Sequence, residues 1–309
     1  MQAYWVFLLN YNLKLPLILS EHGIYTKERR VDIFLSTNFR DDNDIDRALT
    51  ESSYLRNLWD RYFKILSQLC YSIADPIVSL FSAAHKIQLE EGAPAEKAII
   101  IPNGINIERF KHMRRPLEEK LPIVCFVGRL VPMKDVKGFI RAIPNVHTQL
   151  PKIKFLIIGS TDQDPAYAIE CHQLVENISM QNVIEFKPHQ VMEEVLPKVK
   201  ILVLSAIREG MPFVIIESLA AGVPVVATDV GASKEIIEGI TEEDKEIGPA
   251  GIVVKVADPH ALEQAIVELL TNEKLWHQMS ENGIKRVERY YDEKMMLEKY
   301  SQIYARSMM

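Results

Sequence analysis

The apolar residues of this chain fall into short runs separated by amphipathic stretches, most regularly after residue 120. The runs IVCFVG (123–128), FLIIGS (155–160), NVIEFK (182–187), ILVLS (201–205), VPVVAT (223–228) and GIVVKV (251–256) are rich in Val and Ile and nearly continuous in apolar character. Such runs predict strands buried on both faces, as in a parallel sheet covered by helices. Between them the apolar spacing becomes helical. Val136, Phe139, Ile140 and Ile143 share one helical face, and Pro144 is expected to kink or shorten that helix because proline lacks the amide donor its turn needs. Asp258 before Pro259 predicts a helix start for the run through Leu270. Together these elements predict a doubly wound α/β domain.

The earlier part of the chain also alternates. LILS, PIVSL and AIII predict strands, and a long amphipathic helix over about 46–72 separates the first two, with the acidic run DDNDID as its solvated start. In the opening stretch, Asn10, Asn12, Lys14 and Pro16 interrupt the apolar run, and no basic leader precedes it. A membrane span needs about 20 continuous apolar residues, so a short buried helix followed by a strand at 17–20 is expected instead. Three strands without a glycine-rich first turn make a poor free-standing sheet. The polar stretch KHMRRPLEEKL (111–121) predicts a linker, and the residues from Gly283 onward predict one or two amphipathic helices. The expected division is therefore 1–112, 118–288 and a terminal helical segment 289–309.

A chain of 309 residues favours two domains, and 48% apolar with 25% charged residues is ordinary for a soluble protein. The net charge of −6 argues against a general nucleic-acid binder and leaves room for basic residues gathered in one cleft. Cys70, Cys125 and Cys171 lie far apart with no CxxC spacing, which predicts buried thiols in a reducing cytoplasm rather than disulfides or a zinc site.

Candidate chemistry concentrates in REGMPFVIIESLAAGVPVV. Gly210, Met211 and Pro212 predict a turn opening a helix, Gly222 ends that helix, and a buried strand follows. Glu209 stands beside the helix start, whose free amides attract anions such as phosphate. Glu217 lies within an otherwise apolar helix, where a carboxylate needs a partner, and a ribose diol would supply one. Arg129 and Lys134 follow a strand in FVGRLVPMKD, where ligands of open α/β sheets bind. A guanidinium fork and an ammonium suit a diphosphate, although alone they read equally well as solvated loop cations. His22 follows the strand LILS, and a lone histidine there is ordinarily structural or exposed. Arg29 and Arg30 are loop charges that suit an acceptor phosphate. No GxSxG, HExxH, GxxxxGK[ST] or Cys/His cluster is present, which counts against a serine hydrolase, a zincin and a P-loop NTPase.

The set IPNGI, FVGRL…K, REGMP…E and AAGVPVVATDVG, in this order along the chain, resembles the family 4 retaining glycosyltransferases of the GT-B fold. EHGIYTKERR, YLRNLWDRYF, ATDVGASKEIIEG and GPAGIVV resemble the PelF branch, the cytoplasmic glycosyltransferases of bacterial Pel exopolysaccharide systems. The resemblance implies an α/β, GT-B-like chain of two Rossmann-like domains, with the donor nucleotide held mainly by the second. It implies that Arg129 and Lys134 bind the diphosphate and Glu217 the ribose. Glu209 would stand near the donor sugar hydroxyls, with Gly128, Gly210, Met211 and Pro212 lining the sugar and phosphate pocket. His22 matches the family's active-site histidine of the first domain, and the final helix would cross back onto that domain. Members of the branch are taken to use UDP-glucose. Measured against that pattern the chain starts one helix before the His22 strand, so the N-terminal domain is expected to be incomplete.

The expected function is retaining transfer of glucose from UDP-glucose, as substrate rather than cofactor, to a growing polysaccharide, with no cofactor and no metal. Partners would be the nucleotide sugar, the polysaccharide acceptor and a membrane-bound synthesis or export complex, with no nucleic acid. Location would be cytoplasmic, at the periphery of the inner membrane. A non-catalytic nucleotide-sugar-binding subunit and a GT-B sugar epimerase are the competing readings. The segment 187–189 is the candidate for choosing the base.

Overall fold

The computed structural model describes residues 15–24 and 45–307. The helix expected in the opening residues, the acidic run at 41–44, Arg29 and Arg30 lie outside the described residues. The chain divides into two compact units, Asn103–Leu297 and a first unit that joins Met1–Pro102 to Glu298–Met309.

Among the described residues the first unit holds a three-stranded parallel sheet of β1 (Leu19–Glu21), β2 (Ile77–Ser79) and β3 (Ala98–Ile100), in that order. The helix Ile45–Ile73 connects β1 to β2, and Ser82–Glu90 connects β2 to β3. Tyr71, Ala74, Ile77, Ala93 and Ala98 form its small core. At the end of β1 the Glu21 carboxylate accepts from Tyr71 Oη (3.0 Å) and from Gln88 Nε2 (2.7 Å).

The second unit is built on six parallel strands: β4 (Ile123–Val127), β5 (Lys154–Ile158), β6 (Ile184–Lys187), β7 (Ile201–Leu204), β8 (Val225–Thr228) and β9 (Gly251–Val254). Their order across the sheet is β6-β5-β4-β7-β8-β9. The apolar runs become strands because each central strand is covered on both faces: β7 and β8 are buried throughout. At the rim, β6 alternates instead and exposes Glu185. Phe126, Phe139 and Phe155 pack between β4, β5 and the helix Val136–Gln149, with ring centroids 5.9 and 6.1 Å apart.

That helix corrects one expectation. It is not shortened at Pro144 but runs on to Gln149. Pro144 has no N–H to offer its preceding turn. Ile143 and Val146 on either side of it are fully buried against the sheet, and this packing carries the helix past the missing bond. The segment 111–121, expected to be a linker, buries Met113 and Leu117 within the second unit. The helix Pro259–Thr271 starts as expected, with the Asp258 side chain accepting from Ala261 N at 2.9 Å. All three cysteines are free and buried.

Two buried charges tie the second unit together. Arg286 is fully buried and donates to Asp244 Oδ1 (2.7 Å), Ile237 O (2.6 Å) and Asp244 O (2.9 Å). Lys120, also buried, donates to Leu196 O at 3.2 Å. Burial, with Arg115 nearby, pushes the Lys120 ammonium down to about 8.

Arg286→Met leaves the buried Asp244 carboxylate without its counter-charge and takes one donor from each of two carbonyls, and is expected to lower unfolding stability by about 3–5 kcal/mol, measured by urea denaturation. For Lys120 the folded value lies below the unfolded one, so between about 8 and about 10.4 the unfolded chain holds more protons and stability rises with pH. The stability difference between wild type and Lys120→Met should climb across that window. A flat difference would contradict the burial argument.

Candidate functional site

The sheet order reverses at its first strand. From β4 the chain winds outward to β5 and β6, then returns to place β7 on the other side of β4. Loops leaving the carboxyl ends of β4 and β7 therefore diverge and open a crevice, the usual ligand position in such sheets. Arg129 and Lys134 follow β4, and Glu209 follows β7.

The loops are fixed by their backbones. Gly128 N donates to Ile158 O (2.9 Å) and Leu130 N to Ser160 O (3.0 Å). A side chain at Gly159 would come within 1.9 Å of Gly128 O, so these two loops meet only because position 159 has none. Ser205 Oγ donates to the carbonyls of Lys134 (3.1 Å) and Asp135 (3.0 Å), and Ile207 N donates to Met133 O (2.9 Å). Thr228 Oγ1 donates to Ala206 O at 2.6 Å. Gly231 sits at φ 54°, where glycine is favoured, and a Cβ there would lie 2.0 Å from Gly210 O. The next amide, Ala232 N, donates to Gly210 O at 2.8 Å. The crevice is thus stitched from β4, β7 and β8 by two hydroxyls and a close glycine contact.

Within this frame Lys134 Nζ pairs with Glu209 Oε1, with side chains 18% and 14% exposed. Arg129, exposed, donates to Gln163 Oε1. Met211 and Pro212 are buried, and Met211 Sδ accepts from Asn103 N at 3.2 Å. The helix Phe213–Ala220 follows with no side-chain cap at its start. Four of the expected residues, Lys134, Glu209, Gly128 and Gly210, therefore meet at the reversal, and Met211 and Pro212 adjoin them. His22 lies in the first unit, exposed, directly after β1.

Glu217 is half-buried on that helix. Desolvation raises its carboxyl, Arg109 offsets this in part, and Glu193 adds to it. Arg109 Nε is itself paired with Glu193 Oε1. Sequence reasoning missed Arg109 and Glu193. The requirement that Glu217 find a partner was the signal, since Arg109 stands four residues beyond the IPNGI motif. Arg208, beside Glu209, was missed as well, and its Nη1 is buried with no hydrogen-bond partner among the described residues.

A cavity of about 450 Å³ opens at the carboxyl ends of β5 and β6, lined by Leu130, Gly159, Thr161, His172, Phe186, Pro188 and His189. The His172 and Phe186 rings lie 4.0 Å apart. A second cavity of about 460 Å³ runs along β4–β6 past Leu121, Asn182 and Lys198, away from Lys134 and Glu209. Among the described residues no group of three His, Cys, Asp or Glu gathers as metal ligands would.

Residues 108–286 match the family described as Glycosyl transferases group 1, and residues 3–96 match a domain of unknown function, DUF3492. The chain is similar to the capsular polysaccharide biosynthesis glycosyltransferase CapM of Staphylococcus aureus, 26% identical over 259 residues, 79% of this chain and 65% of CapM. The chain thus spans just under two thirds of that relative's length. Among solved structures it is similar to Anabaena HepE in complex with UDP and glucose (TM-score 0.74, 15% identity, 98% of this chain and 75% of HepE). It is also similar to sucrose-phosphate synthase from Thermosynechococcus elongatus (TM-score 0.69, 20% identity, 97% and 71%). The fold is α/β and GT-B-like with parallel sheets.

The folded Glu217 carboxyl holds its proton to a higher pH than the unfolded one. Stability therefore falls as pH climbs through the interval between the two values and stays lower above it. Glu217→Gln should raise the melting temperature at pH 7, and the gain should fade below the ordinary carboxylate range. A lower melting temperature at pH 7 would show that the carboxylate is held for stability.

Proposed function

The chain belongs to the group 1 glycosyl transferases, and from that membership and the geometry of the crevice we propose that it transfers a sugar from a nucleoside diphosphate sugar with retention, in the manner of the family 4 enzymes. The observation that carries this reading is the meeting of Lys134 with Glu209 at the strand reversal, on the loop after β4 that also carries Arg129. Lys134 and Arg129 would hold the diphosphate and stabilise the charge it gains as the bond from the anomeric carbon to its oxygen breaks. Free amides at the start of Phe213–Ala220 add donors of the same sign. The acceptor hydroxyl attacks the anomeric carbon from the face of departure, and its proton passes to the leaving phosphate. Glu209 orients the sugar hydroxyls, and Gly210, Met211, Pro212 and Gly128 shape the pocket around them.

Glu217 would grip the ribose, with Arg109 offsetting in part the burial that favours its protonated form. The cavity beside Lys187, Pro188 and His189 suits the base. His22 would contact the donor sugar from the first unit. We take the donor to be UDP-glucose and the product a Pel-like exopolysaccharide, as in the PelF branch. HepE, whose fold is similar, has been crystallised with UDP-glucose, and the relative CapM serves capsular polysaccharide biosynthesis. No helix among the described residues is long and apolar enough to cross a membrane. Our reading places the chain in the cytoplasm against a membrane-bound synthesis or export complex.

Lys134→Ala is expected to lower turnover of UDP-glucose by about 10²–10³-fold, read as UDP released in the presence of acceptor polysaccharide. Glu217→Gln should weaken donor binding in calorimetry while the protein stays folded. Calorimetric binding of UDP-glucose with no turnover in the wild type would favour a non-catalytic binding subunit instead.

A further inference from the structure

We propose that the Lys134–Glu209 ion pair makes the crevice select an intact nucleotide sugar over the spent nucleoside diphosphate. The inference rests on the reading of the crevice as a nucleotide-sugar site. Each partner now satisfies the other, and both side chains are largely shielded from water. Leaving either one unpaired there is costly. Backbone contacts tie together the loops that carry the pair. Ser205 Oγ holds the carbonyls of Lys134 and Asp135, Ile207 N holds Met133, and Gly231 with Ala232 holds Gly210. Opening by side-chain rotation swings the Lys134 stem past Gly128, whose missing side chain would lie 3.7 Å from its Cδ.

An intact donor repays both partners. A phosphate oxygen replaces the carboxylate at Lys134, and sugar hydroxyls replace the ammonium at Glu209. A nucleoside diphosphate repays only Lys134. It leaves Glu209 without a partner and brings further negative charge beside it. Once the sugar has left with the acceptor, Glu209 competes again for Lys134 and weakens the hold on the diphosphate. The pair is thus a specificity device that reads whether a sugar is attached.

The test is calorimetric titration of UDP and UDP-glucose into wild type, Glu209→Gln, Lys134→Met and the double variant. Glu209→Gln should bind UDP about tenfold more tightly than wild type and UDP-glucose more weakly, so that the preference for the sugar-bearing ligand narrows. Glu209→Ala should move both affinities in the same directions, which keeps the test intact if one variant fails to fold. In the Lys134→Met background the gain for UDP should vanish, because the effect runs through the ammonium. Unchanged or weaker UDP binding in a folded Glu209 variant overturns the proposal. So does a gain that persists without Lys134, which would mean that Glu209 merely repels anions. Wild-type protein that binds neither probe overturns the reading of the site, and this inference with it.

Discussion

The parallel pairing of β4 with β7, through Val124 with Ile201, Cys125 with Leu202 and Phe126 with Val203, is the constraint on which the second unit's chemistry depends. It makes neighbours of two strands separated in sequence by two full strand–helix repeats. The loops that leave them have to part, because one leads to helices serving β5 and the other to the helix before β8. Every residue of the crevice inherits its position from that divergence. Ser205 and Thr228 then convert an open gap into a defined one, since each spends a buried hydroxyl on carbonyls that no strand ladder could reach.

The strands were legible because a covered parallel sheet needs near-continuous apolar runs, and all six expected runs in the second unit became strands at or within two residues of the expected limits. The helix 46–72 was legible for the complementary reason, a long stretch of helical period without breakers. Pro144 misled because a local rule was applied without the packing that overrides it. The polar segment 111–121 misled because Met113 and Leu117 bury isolated apolar side chains that carry no period.

Lys134 and Glu209, singled out from the sequence, are brought into one ion pair by the fold. The contacts that hold the crevice were not legible there. Nothing in sequence spacing connects Arg109 to Glu193 and Glu217, or Asn103 to Met211, because those meetings arise from the fold. The same holds for the glycines at 159 and 231, whose reason lies in an opposing backbone. The charges also divide into two kinds. Arg286 donates from each of its three nitrogens and serves to fasten. Arg208 keeps a buried Nη1 with no hydrogen-bond partner among the described residues, a state that a chain selected for stability alone would not keep.

The outer strand β6 carries a quieter consequence. Its free edge offers backbone donors and acceptors to any extended peptide that drifts alongside. Glu185 projects from that rim with Lys187 beside it, the two paired at 3.4 Å. An intruding strand would have to strip water from both charges, a cost that guards this edge of the six-stranded sheet.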